Sequence, residues 1–210
     1  MKNNPQEVQS IAQQILRSIR VHGRGWVFSP ASFKGLGSRA AVESALRRHK
    51  NEGTIRQLAR GLYDYPRTDP QIGVLAPSME QITAALEARD AVRLQPSGAC
   101  AANLLGLSDQ VPMKIVFLTD GPTRKLQIGK RQILLKRTTP RNMATAGRIS
   151  GTVIQALRWL GQRHIDDQTT DALKQRLNSK DKAQLMKDIH YAPIWIARVV
   201  RALAEEDKSQ

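Results

Sequence analysis

Val8, Ile11, Ala12, Ile15 and Ile19 recur at three- and four-residue spacing between Pro5 and Val21. Gln6, Gln9, Gln13 and Gln14 fill the positions between them. That period predicts an amphipathic helix with one apolar stripe. It stops at His22-Gly23-Arg24-Gly25, a glycine-rich break. Trp26-Val27-Phe28 is an unbroken apolar run and reads as a short buried strand. Ser29-Pro30 then offers a cap and a residue suited to a first helical position, so a short helix is expected from Ala31 to Leu36. Ser38 caps the next helix, which runs to about Asn51 and ends at Glu52-Gly53. Val42, Ala45 and Leu46 share one side of it, and His49 continues that side as a packing histidine. Arg39, Ala40, Glu43, Ser44 and Arg47 occupy the other side. Two β-like runs, 54–58 and 62–65, flank Ala59-Arg60-Gly61 and predict a hairpin with an arginine at its tip.

Strand, helix, turn, helix, hairpin is the order of a winged helix-turn-helix. Such a fold leads into the major groove with the N-terminal residues of its second helix. The face opposite the core carries small or basic residues, with Glu43 its one acid, and the hairpin region adds Arg56, Arg60 and Arg67. The residues expected to meet DNA are Ser38, Arg39, Ser44, Arg47, Arg48, Arg56 and Arg60.

Pro66 to Gln71 has two prolines and no period, which predicts a linker. The expected domains are therefore 1–68, a DNA-binding winged helix, and 69–210, an α+β unit. In the latter, Ser78-Met-Glu-Gln81 is a capping pattern that starts a helix to about Arg89. Val92–Leu94 is a brief strand and Ser97–Leu105 a helix of small residues. Lys114–Asp120, Arg124–Ile128 and Gln132–Thr139 read as strands of a small antiparallel sheet. From Gly147 the pattern is helical: 149–160, 170–177, a helix capped by Ser179, and one opened by Pro193 with Ile194, Ala197, Val200, Ala202 and Leu203 near one face. The fold class expected is α+β.

Charge sharpens this picture. The chain carries 33 basic and 18 acidic side chains over 210 residues, a net +15, which suits a polyanionic partner. Residues 1–67 hold twelve basic against four acidic residues, 68–148 eleven against six, and 149–210 ten against eight. The basic residues Lys114, Lys130, Arg131, Lys136 and Arg137 form a second candidate surface, for a partner protein or nucleic acid. Aromatic content of 4% argues against a single-strand binder, which depends on base stacking.

Catalytic signatures are missing. No phosphate-binding loop, dinucleotide fingerprint or His-Glu-x-x-His pattern occurs, and the four histidines are scattered at 22, 49, 164 and 190. Asp166-Asp167 precedes a predicted helix and reads as a cap. The one cysteine, Cys100, permits no internal disulfide and reads as a small buried apolar residue. No enzyme activity, cofactor or metal is expected. No apolar run approaches membrane-spanning length, so a cytoplasmic protein is expected.

Three blocks carry a family resemblance: Asn51-Glu-Gly-Thr-Ile-Arg-Gln-Leu-Ala-Arg-Gly-Leu-Tyr-Asp-Tyr-Pro66, Pro96-Ser-Gly-Ala-Cys-Ala-Ala-Asn-Leu-Leu-Gly-Leu107, and Val111-Pro112-Met113-Lys114 with Leu118-Thr-Asp-Gly121. Over residues 10–145 the chain resembles the AbiEi-type antitoxins of type IV toxin–antitoxin systems. The resemblance implies a winged helix that represses its own operon at promoter inverted repeats of double-stranded DNA. It also implies a C-terminal part that counters a nucleotidyltransferase-like toxin without a need for a stable complex. The residues alone leave open a stand-alone winged-helix regulator whose second domain senses a ligand or partner.

Overall fold

The computed structural model describes residues 10–109, 112 and 114–205. Val8 of the first stripe, Gln6 and Gln9 of the polar positions beside it, and Val111 and Met113 lie outside the described residues. The chain is α+β and divides into two compact units between Ala91 and Val92.

In the first unit, helix α1 (Ile11–His22) opens on a reciprocal capping box. The Ser10 hydroxyl accepts from Gln13 N, and the Gln13 side chain accepts from Ser10 N. Strand β1 (Val27–Phe28) follows, then a single 3-10 turn (Pro30–Phe33). The expected helix to Leu36 stops there because Gly35 sits at φ +96°, outside helical space. Helix α2 (Arg39–Asn51) and strands β2 (Arg56–Ala59) and β3 (Leu62–Asp64) complete an antiparallel sheet in the order β1-β3-β2. Ile15, Ile19, Phe28, Phe33, Val42, Ala45, Leu46 and Ile55 form its core. This is the element order of a winged helix-turn-helix.

The stretch expected as a linker is folded. Strand β4 (Thr68–Asp69) pairs with β5 (Gly73–Val74), and the Asp69 carboxylate accepts from the backbone N–H groups of Gln71 at 2.8 Å and Ile72 at 3.0 Å. Those two donors hold the Asp69 carboxyl below its usual range. Helix α3 (Met79–Asp90), capped by Ser78, then buries Ile82, Ala85 and Leu86 and packs against β1 and the 3-10 turn. The expected boundary at 68/69 thus falls inside the first unit, which closes only after α3.

In the second unit, β6 (Leu94–Ser97), α4 (Ala99–Leu104), β7 (Lys114–Thr119), β8 (Arg124–Ile128) and β9 (Arg131–Arg137) lead into α5 (Pro140–Met143), α6 (Ile149–Leu160), α7 (Asp167–Arg176), α8 (Ser179–Asp188) and α9 (Ile194–Glu205). The sheet order is β6-β7-β9-β8. Its two outer pairs are antiparallel, as expected, but the central pair β7–β9 is parallel. The chain leaves β7 through Gly121-Pro122 to form the edge strand β8. The tight β8–β9 hairpin at Gly129 then folds β9 back between them.

Helix α6 packs on β6, α4, α8 and α9. Gly151 lets it approach the sheet, since a Cβ there would collide with the Gln95 side chain and the Thr145 carbonyl. Asn178, not Ser179, caps α8, through a capping box with Asp181. Asp166 caps α7, as expected. In α9 the buried face is Ile196, Ala197, Val200 and Leu203, while Ile194 is exposed. Cys100 is buried in α4, and burial pushes its thiol up to about 11.

Candidate nucleic-acid interface

Helix α2 is fixed by its apolar side. Val42, Ala45 and Leu46 face the core against α1, and His49 extends that side at 5% exposure. The His49 ring lies 3.0 Å from the Ala12 carbonyl through Nε2 and 3.0 Å from the Glu52 carboxylate through Nδ1. One side chain therefore ties the C-terminal end of α2 both to α1 and to its own cap. Gly37, just before α2, lies so near Ile11 that a Cβ would crowd its Cδ1 atom.

With that side committed, the opposite face is left to solvent. Arg39, Ala40, Ser44 and Arg47 are exposed along it. Arg47 meets no carboxylate among the described residues. Arg39 donates to Glu43 at 2.8 Å, and that contact raises the guanidinium pKa further. Arg48 donates to Glu52 at 2.9 Å, and Arg48 and His49 together hold the Glu52 carboxyl below its usual range. Exposed helix pairs of this kind contribute little and yield readily to a phosphate. The Ser38 hydroxyl accepts from Ala41 N at 3.2 Å as the α2 cap and keeps its O–H as a donor at the exposed start of the helix.

The hairpin divides its two expected arginines. Arg60 and Gly61 form the tip, with Gly61 at φ +67° and Arg60 exposed. The Arg60 carbonyl accepts from Arg89 at 3.3 Å. Arg56 does not join it. Its Nε and Nη2 donate to Asp64 at 3.1 and 2.5 Å, and Nη2 also donates to the Leu75 carbonyl at 3.0 Å. Asp64 is 1% exposed, so Arg56 is held as the counter-ion of a buried carboxylate rather than extended into solvent.

The second basic surface also separates. Register places Lys114, Lys136 and Lys125 on one side of the sheet, around Val116 and Leu134. Arg131 and Arg137 lie on the opposite side with Ile133 and Leu135, and Lys130 sits at the β8–β9 turn. The five expected cations therefore form no single patch. Lys125 was missed by sequence reasoning, although the alternation Arg124-Lys-Leu-Gln-Ile128 already places it opposite Leu126.

Residues 14–185 match the model of a family of unknown function, DUF6088, and the chain belongs to that family. No curated protein matches the chain. No helix among the described residues is long and apolar enough to cross a membrane.

Proposed function

We propose that this member of the DUF6088 family is a DNA-binding antitoxin of the type IV kind, resembling the AbiEi antitoxins. It represses its own promoter through α2 and the Arg60 wing, and it counters a nucleotidyltransferase-like toxin through its second unit, in the cytoplasm. The observation that carries the DNA reading is the exposed face of α2. A helix anchored on one side by Val42, Leu46 and His49 presents Arg39, Ser44 and Arg47 on the other. Arg47 is the best base reader, because a guanidinium that meets no carboxylate among the described residues can form a bidentate contact with guanine. Arg39, Arg48 and Arg60 are the phosphate contacts. The antitoxin part is supported by the resemblance in the three sequence blocks.

The test is a pair of titrations of the full chain, on its own promoter and on random duplex DNA. Arg47→Ala is expected to cost roughly 1–3 kcal/mol on the promoter and much less on random DNA. Equal loss on both would reduce Arg47 to a backbone contact, and no loss on either would end the assignment.

A further inference from the structure

Residues 138–142, with Arg158 of α6, bring two arginines into one cluster. Arg158 Nη1, from α6, donates to Asn142 Oδ1 at 2.8 Å, and Asn142 Nδ2 donates to Thr138 Oγ1 at 2.8 Å. Arg141 Nη2, from α5, donates to the His190 carbonyl at 3.1 Å. Every one of these acceptors is neutral. The carboxylate two residues before His190 is already spent: Asp188 accepts from Ser150 Oγ, from Gln184 Nε2 at 2.9 Å and from Arg148 Nε at 3.2 Å. Among the described residues, neither Arg141 nor Arg158 meets a carboxylate.

The electrostatics agree with that geometry. Arg158 is half-buried, and its pKa is pushed down first by burial and then by the charge of Arg141. Two like charges therefore stand close enough to repel, one of them partly desolvated. An anion bound by both would offset that repulsion and the partial desolvation of Arg158. Each guanidinium has five N–H donors in a planar fork, and here each spends one of them on the protein acceptors just described. Two forks suit the tetrahedral oxygens of a phosphate, and two charges match a dianion better than a single carboxylate.

We propose that Arg141 and Arg158 form a binding site for a phosphate group. The chemistry is shared by two sources, the terminal phosphate of a small molecule and the diester of a nucleic-acid backbone. The site does not depend on the DNA reading of α2.

The full chain is titrated calorimetrically, at fixed ionic strength, with inorganic phosphate, with ATP and with a thymidine dinucleotide that has one internal diester. Arg141→Gln and Arg158→Gln are each expected to weaken binding about tenfold or more, the size of one lost charge-assisted hydrogen bond. Arg201→Gln, at an exposed position of α9, leaves it unchanged. Phosphate and ATP binding above the dinucleotide assigns the site to terminal phosphates, and the reverse order assigns it to diesters. Equal binding by all four proteins would reduce the site to general attraction by a +15 surface and overturn the proposal. So would an Arg141→Gln protein that is folded and binds phosphate normally. Should Arg158→Gln fail to fold, the exposed Arg141 carries the same test alone.

Discussion

Arg56 and Arg60 stand four residues apart in one hairpin, and only their surroundings tell them apart. The Arg56 side chain is 36% exposed, but its donors are committed to an Asp64 side chain that is 1% exposed. Removing the guanidinium leaves a buried carboxylate without its cation. Arg56→Ala is therefore expected to destabilise the first unit by about 2–3 kcal/mol, less than the full cost of breaking a buried pair because Arg56 reaches solvent. A urea titration followed by fluorescence measures this. The salt dependence of DNA binding should keep its slope. A lower slope with unchanged stability would return Arg56 to the DNA contacts. From sequence the two arginines look equivalent, since Asp64 lies eight residues from Arg56 and the pairing exists only once β2 and β3 are in register. His49 was more legible. Its place on the Val42–Leu46 side of a helix already implied burial, although the two hydrogen bonds that satisfy it required the fold.

At the scale of elements, periodic segments were readable and pairings were not. The stripe of α1 and the cap and two faces of α2 follow from 3.6-residue spacing, α3 follows from the Ser78 capping pattern, and the helix at 149–160 was readable although no side chain caps it. The β4–β5 hairpin was not readable, because it is two residues a side and depends on one carboxylate capping its own turn. The parallel β7–β9 pair was equally hidden, since each strand alone reads the same in either orientation. The wing was readable because a glycine at positive φ marks a two-residue tip. Arg60 extends from that tip with its side chain exposed. Arg60→Ala is expected to weaken promoter and random DNA alike and to reduce the slope of log K against log salt by about 1. A slope that does not move means the tip stays in water.

For the whole molecule, moving the division to Ala91 redistributes the charge. Residues 1–91 hold thirteen basic and eight acidic side chains, a net +5, whereas 92–210 hold twenty and ten, a net +10. The acids of α3 and the β4–β5 hairpin belong to the winged unit and dilute its excess. The DNA reading therefore rests on one face of α2 and one wing tip, not on the net charge of a domain. The same division fixes where the chain should be cut. A cut after Thr68 would split β4 and remove the α3 side chains Ile82, Ala85 and Leu86 from the unit they pack in. Burying less apolar surface, residues 1–68 would be marginal alone. Residues 1–91 should fold, with a cooperative melting transition that 1–68 lacks. Expressed beside a nucleotidyltransferase-like toxin gene from the same locus, 1–91 should repress the promoter without rescuing growth. Residues 92–210 should rescue growth without repressing. Rescue that requires 1–91 would overturn this division of labour and make repression of the toxin gene the means of protection. Equal melting of 1–68 and 1–91 would instead return the boundary to the two prolines at 66 and 70.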